Sequence, residues 1–226
     1  MSAKMKLTNI DLLSLFSTPE YAEVLAEFRE KKYSRKALIS TPYDQKDTIF
    51  IVKSGRLRIF LAYEDREFTL ALLEPGDIFS THSKSYVQTL EESRILTAKT
   101  RDFQSKLASH PEISSVVVQV LGELLKNSID IIEGLAFKDV RRRFYDFLQS
   151  IARDRGVIHE RGIVVELGLN TEDVALLIGT SRQTISMLLN ELIRLEHVER
   201  VGRQTLLIKN LSALDVAATA ERDNLS

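Results

Sequence analysis

Residues 170–196, NTEDVALLIGTSRQTISMLLNELIRLE, constrain the fold of this chain more than any other stretch. Thr171, with Glu172 and Asp173 behind it, opens a helix: it brings a capping oxygen, and the acidic pair favours the positive end of the helix dipole. Val174, Ala175, Leu177 and Ile178 give that helix one apolar face. Gly179-Thr180 ends it, because glycine enters the left-handed conformation of a sharp turn without a Cβ penalty. Ser181 starts a second helix with apolar residues at Ile185, Leu188, Leu189 and Leu192, an i, i+3, i+4, i+7 stripe. The opposite face carries Arg182, Gln183, Ser186 and Asn190. This is the pattern of a helix-turn-helix whose second helix presents its N-terminus to the major groove of double-stranded DNA. Arg182 then suits a bidentate guanine contact, Gln183 a neighbouring base, and Ser181 and Thr184 phosphate oxygens. An ordinary helical hairpin with a polar outer face is the competing reading.

The next segment, HVERVGRQTLLIKN, reads as a hairpin around Gly202 with strands near Val198–Val201 and Thr205–Ile208. A hairpin directly after a recognition helix makes a wing, from which Arg200, Arg203 and Lys209 reach flanking phosphates.

Composition narrows the chemistry. The chain has 226 residues and a net charge of −1, so a DNA contact must come from a local basic patch rather than a global field. It has no cysteine, which excludes disulfides, thiolate catalysis, iron–sulfur clusters and thiolate-ligated haem. No apolar run is long enough to span a bilayer, and MSAKMKLTNIDLL lacks the apolar core of a secretory signal. No membrane association and a cytoplasmic location are therefore expected. No nucleophilic triad, catalytic carboxylate pair or phosphate-binding loop is present, so the chain reads as a non-enzyme.

Upstream, an amphipathic helix is expected from about Asn9 to Lys31. From Thr48 to Thr97 the period becomes two. Leu57, Ile59 and Leu61 form one row, and Phe68, Leu70 and Leu72 repeat it after a Glu64-Asp65-Arg66 turn. Ser54-Gly55 and Pro75-Gly76 punctuate further turns, the second suited to type II geometry. Short strands between such turns predict an antiparallel roll. Pro111 then opens a long helix, about 111–136. Val117, Leu121, Leu124, Ser128, Ile131 and Leu135 give it a coiled-coil seam, and Val116, Val120, Leu125, Ile129 and Ile132 add a further apolar surface. A parallel homodimer is implied, placing two recognition helices on a palindromic promoter site. The run FKDVRRR, 137–143, reads as a solvated charge segment at the junction. The expected fold is α+β: a sensor domain over 1–136 that includes the dimerisation helix, and a winged helix-turn-helix domain over 137–226.

This order, and the motif GTSRQTIS, resemble the family of cyclic-AMP receptor protein and the fumarate–nitrate regulator over nearly the whole chain. The stretch LEPGDIFSTHSKSYVQTLEESRILTAKT departs from its cyclic-nucleotide members. Ser-Thr-His stands where they carry Gly-Glu, and no Arg-Ser/Thr-Ala segment comes after it. The same stretch, with GRLRIFLAYEDREFTLALLEPGDIFSTHS, LGELLKNSIDIIEGLAFKD and LELGLNTEDVALLIGTSRQTIS, is similar to the CooA-type, CO-sensing haem regulators. That resemblance implies one haem b per subunit with His82 as an axial ligand. It gives His110, His159 and His197 no such role, and they stay ordinary surface or core residues.

The resemblance also implies a second iron ligand from the partner subunit, the N-terminal amine left on Ser2 once Met1 is removed. Its reference pKa of about 7.7–8.0 leaves a neutral fraction near neutral pH. Ser80 occupies the place of a cysteine found in some members, so a thiolate-to-imidazole ligand exchange is not available. Leu121, Gly122 and Leu125 match the positions that pass the distal haem face and close an apolar pocket over CO. The implied function is a transcriptional activator: CO displaces the amine from ferrous haem, a hinge at Phe137, Lys138, Asp139 and Val140 turns the DNA-binding domains, and RNA polymerase is contacted at the promoter. A regulator of the same fold that binds a non-haem effector is the alternative.

Overall fold

Glycine and proline turns divide the N-terminal half into short strands, and the antiparallel sheets they form are the frame on which the candidate sensor residues stand. The computed structural model describes residues 10–44 and 47–214; it forms two compact units, one running to Ser128 and the other starting at Ile129.

The first unit holds two four-stranded antiparallel sheets. One has β1 (Arg29–Tyr33), β8 (Ser93–Lys99), β3 (Thr48–Ser54) and β6 (Ile78–Ser80) as neighbours in that order. The other runs β2 (Leu38–Ser40), β7 (Tyr86–Thr89), β4 (Leu57–Tyr63), β5 (Arg66–Leu73). The expected N-terminal helix from Asn9 to Lys31 is corrected. Within its described part, α1 (Leu12–Phe16), a 3-10 turn (Pro19–Tyr21) and α2 (Ala22–Ala26) take its place, and Arg29 begins a strand. Thr18-Pro19 interrupts the helix, since proline fits a first helical turn and not an interior. The charged sequence REKKY then suits an edge strand, where unpaired backbone would otherwise invite a neighbour.

The strand rows are corrected as well. Leu57 and Ile59 are buried in register with Leu73 and Ala71, which share their core cluster; β5 therefore faces that core with 71 and 73, joined at the register shift by the partly buried Leu70, and not with 68 and 72. A register shift between Ile59 and Phe60 breaks the alternation, leaving Leu61 47% exposed while Phe60 is buried. Phe60 stacks on Tyr86 with ring centroids 5.0 Å apart, and the Arg58 guanidinium lies 4.1 Å from the Phe60 centroid. The expected turns are present: Gly55 and Gly76 have φ of 85° and 93°, and Asp77 N–H donates to Glu74 O at 3.0 Å across Pro75-Gly76.

After α3 (Thr100–Ser109), α4 runs from Pro111 to Phe137. Ile113 and Val120 are buried, and Val116, Val117 and Leu124 pack with them against Leu12, Phe16, Val24, Ile51 and Phe103. Burying this face selects which apolar stripe stays outside. The exposed large apolar positions are Val118, Leu121, Leu125, Ile129, Ile132 and Leu135, a stripe that meets the expected seam at 121 and 135 and lies one residue beyond it at 117, 124, 128 and 131.

The second unit contains α5 (Val140–Arg155), α6 (Thr171–Ile178), α7 (Arg182–Arg194) and a sheet ordered β11 (Val198–Arg200), β12 (Thr205–Ile208), β10 (Gly162–Glu166), β9 (Val157–His159). The β9–β10 hairpin was not expected from sequence, and it makes the wing part of a four-stranded sheet. Among the described residues, no helix is long and apolar enough to cross a membrane.

The Pro75-Gly76 turn supplies a test of the roll. Gly76 O accepts from Leu12 N–H, and a β-carbon at Gly76 would lie 2.5 Å from Asp11 Oδ1. Gly76→Ala therefore combines positive-φ strain with a collision. It is expected to lower stability by about 1–3 kcal/mol, read as a fall of about 5 °C in thermal midpoint by calorimetry.

Candidate sensor turn and nucleic-acid interface

The sensor candidate His82 sits in a 3-10 turn, Thr81–Ser83, directly after β6. Thr81 turns inward: its Oγ1 accepts from Thr48 N–H at 3.1 Å and lies 3.2 Å from Thr48 O, which fastens the turn to β3. His82 turns outward and is 59% exposed. Ser80 caps the turn by accepting from His82 N–H at 3.3 Å, and the same Oγ lies 3.2 Å from His82 Nδ1. The other ring nitrogen, Nε2, is 3.4 Å from Asp47 Oδ1. Both members of this pair are exposed, so the contact holds the ring weakly.

Leu121, Gly122 and Leu125 lie on the exposed side of α4, and a β-carbon built on Gly122 would meet nothing within 4 Å. The two regions share packing rather than a direct bond: Ile78 and Phe79 of β6 and Leu124 of α4 line the same core clusters. Ser2 lies outside the described residues. Among those described, no group of three or more His, Asp or Glu side chains converges as an ion site.

The nucleic-acid candidates sit where the two-helix pattern put them, with one correction at the start. Asn170, not Thr171, caps α6; its side chain accepts from Glu172 and Asp173 N–H, and Asp173 returns a bond to Asn170 N–H in a capping box. Gly179 takes φ 75°, ψ 50° and ends the helix. Ser181 caps α7, accepting from Thr184 N–H at 3.1 Å, and the hydroxyls of Ser181 and Thr184 are 2.9 Å apart. Arg182, Gln183 and Asn190 are exposed, Ser186 is half-buried, and Ile185, Leu188, Leu189 and Leu192 are buried beneath them. Met187 stands 59% exposed on the same helix. On the wing, Arg200 and Arg203 are exposed. Lys209, expected to reach phosphate, is instead 3.2 Å from Glu199, which also holds Arg161 at 3.3 Å.

The segment FKDVRRR is not a solvated charge run. Phe137 is exposed at the end of α4, and only Lys138 and Asp139 separate that helix from α5, which Val140 opens. Lys138 Nζ is 2.8 Å from Asp146 Oδ2, and Arg142 Nε is 2.9 Å from Asp146 Oδ1. Asp139 caps α5 by accepting from Arg142 N–H. Arg141 reaches Glu191 of α7 at 2.6 Å and Tyr145 Oη at 3.2 Å. Arg143 donates to Lys138 O at 2.7 Å and to Ile178 O at 3.0 Å. The sequence signal for part of this was the i, i+4 pairing of Arg142 with Asp146; the partners Glu191 and Ile178 are distant in sequence and left none.

Burial pushes the Asp146 carboxyl up, but its hydrogen-bond and charge partners, the Lys138 hydrogen bond first among them, together hold the group below the usual carboxylate range. Burial likewise works against the Lys138 ammonium, and the bond to Asp146 keeps it above the ordinary lysine value. The Glu191 hydrogen bond raises Arg141 further into its cationic range.

Comparison with known proteins places these features. The Crp-like helix-turn-helix domain model matches residues 142–216, and the cyclic nucleotide-binding domain model matches residues 30–110. A CooA variant from Carboxydothermus hydrogenoformans is 48% identical, with a TM-score of 0.90, over 95% of this chain and 99% of that one. The chain belongs to the CooA family. The reduced CO-sensing protein of R. rubrum is 31% identical over 93% of this CooA-family chain and all of its own length, with a TM-score of 0.53. The cyclic AMP receptor protein of Thermus thermophilus is 25% identical over 88% of this chain and 93% of its own. The relatives of this CooA-family chain are transcription regulators, and its α+β architecture is that of a cyclic-nucleotide-binding roll, a long helix and a helix-turn-helix.

Asp146 is 6% exposed between two cations. Its lowered pKa makes its contribution to stability complete above the unfolded value of about 3.9, and that contribution is lost as pH falls through the lower folded value. Denaturant unfolding of the full chain should show Asp146→Asn about 3 kcal/mol less stable at pH 7. The difference should shrink below about pH 4 as the wild-type carboxylate is protonated.

Proposed function

We propose that this chain is a homodimeric, haem-dependent transcriptional activator that CO switches on. The observation that carries this reading is the 48% identity to CooA over nearly the full length of both chains, with His82 exposed on a turn fixed from within.

The residues fit a haem. Ser80 Oγ at Nδ1 suits the tautomer that carries its proton there and leaves the Nε2 lone pair for iron. Releasing Nε2 from Asp47 breaks only an exposed contact, worth at most about 1 kcal/mol. Leu121 and Leu125 offer exposed apolar surface on either side of a glycine with no obstruction above it, which suits a flat macrocycle and a small apolar gas. Haem b, one per subunit, would be held by His82 and a second, displaceable ligand, and would supply a ferrous iron able to bind CO. In this reading that ligand is the partner subunit's N-terminal amine, carried in this sequence by Ser2. The chain then works from the cytoplasm and is not an enzyme.

The exposed stripe of α4, Val118 to Leu135, pairs two copies, so that two recognition helices face one palindromic site. Leu121 and Leu125 belong to that stripe, so a change beside them alters how the two long helices pack. CO shifts the population only as far as it favours the DNA-competent arrangement over the resting one. Residues Phe137, Lys138, Asp139 and Val140 carry the change to the DNA-binding unit. On DNA, Arg182 takes a guanine, Gln183 and Ser186 the neighbouring step, and Ser181, Thr184 and Arg203 the flanking phosphates. RNA polymerase is the partner recruited there.

Two measurements test the reading. Absorption spectra of the haem-reconstituted protein should show a six-coordinate ferrous form that CO converts cleanly, and His82→Ala should lose or alter that form. A colourless chain that needs an organic effector would overturn it. Met187 sets the second expectation, since its exposed thioether suits a thymine methyl where arginine suits guanine. Selection from randomised duplexes under CO should recover guanine at one further half-site position for Met187→Arg, against wild type.

A further inference from the structure

Every helix leaves its last carbonyls without an intrahelical partner, and those oxygens carry the negative end of the helix dipole. At the junction of α4 and α5, one side chain answers two such ends. Arg143 Nη1 donates to Lys138 O, just past the last residue of α4, at 2.7 Å; its Nε donates to Ile178 O, the last residue of α6, at 3.0 Å. The stem of the same side chain lies along the long helix. Gly134 is buried, and a β-carbon there would stand 3.7 Å from Arg143 Cδ. A guanidinium can do this because its donors are held in a rigid planar fork; an ammonium is a single point.

We infer that Arg143 is a positioning residue that braces the last turn of α4 to the helix-turn-helix turn, so that the two move as one body. The inference rests on the CO-switched reading above and deepens it. Ile178 O lies one residue before Gly179, whose turn leads to the Ser181 cap of the recognition helix. A displacement at the end of α4 therefore reaches α7 through Arg143 without being absorbed at 137–140. Two further links stiffen the same corner: Lys138 and Arg142 on Asp146, and Arg141 on Glu191. The brace makes Lys138 and Asp139 part of the DNA-binding body rather than a free joint.

The test uses full-length, haem-loaded protein carrying Arg143→Lys or Arg143→Gln. It also uses Gly134→Leu, which wedges the Arg143 stem aside and keeps the guanidinium. The ferrous and CO spectra check the underlying reading, which fails on its own if wild type shows no CO shift. With that shift intact in all forms, the readout is the ratio of affinities, with and without CO, for a duplex pool selected by CO-loaded wild type. A brace predicts that the ratio falls at least tenfold in all three variants while the CO spectra stay unchanged. An unchanged ratio in Arg143→Lys and Arg143→Gln overturns it. Amide exchange reads the brace without reference to CO, and so decides the case even for a variant with reduced stability. In Arg143→Gln, residues 134–140 and 178–182 should loosen together, and loosening at one end alone contradicts a brace.

Discussion

A 27-residue helix with apolar side chains on two faces cannot be satisfied by one core, and the behaviour of this chain depends on that constraint. Ile113, Val117, Val120 and Leu124 bury one face against the roll. Each buried side chain of this size contributes roughly 1.5–3 kcal/mol, so that face fixes the rotation of the helix about its axis. The second stripe, Val118 to Leu135, is then left exposed by geometry rather than by choice. Exposed apolar surface of that length calls for a partner, and a second copy supplies an identical stripe. Gly122 falls beside it, which gives a group bound near the stripe the means to change how two such helices meet.

The junction after the long helix is built to transmit rather than to absorb. Asp146 is the acid that gathers Lys138 and Arg142, Glu191 fastens Arg141, and Arg143 closes two helix ends at once. A short connector of two residues, each bonded, leaves little slack between the helix and the DNA-binding unit. The sensor turn is the opposite: Thr81 is anchored inward while His82 is held by one serine and one exposed carboxylate. Under the proposed function, a tightly built transmission is what a small-gas switch needs, because the effector's differential binding must not be lost in soft joints.

The two-helix motif was legible because its signals are local: a glycine with positive φ, caps on both helices and a 3.6 period. Thr171 reads as the cap of α6, but Asn170, one residue earlier, is as good an acceptor and takes that place. The rows of the roll were half legible. Alternation is reliable until a bulge, and nothing in Ile59-Phe60 announces one. The exposed stripe of α4 lies one residue beyond the expected seam at four positions for a similar reason: with both faces apolar, the period alone does not say which face the roll will cover. The charge run 137–143 was unreadable, since its partners Glu191 and Ile178 are brought near only by folding. The proposal of His82 as a haem ligand rests on family resemblance, because a lone histidine carries no spacing signal.

In the proposed function, CO and DNA bind the same arrangement of this chain. Linkage makes that reciprocal: if CO tightens DNA binding by some factor, DNA must tighten CO binding by the same factor. The most direct measurement is the CO affinity of the reduced, haem-loaded protein, by optical titration, with and without a saturating duplex selected under CO. CO affinity should be higher in the presence of DNA, by the factor by which CO raises DNA affinity. A CO affinity indifferent to DNA would contradict it.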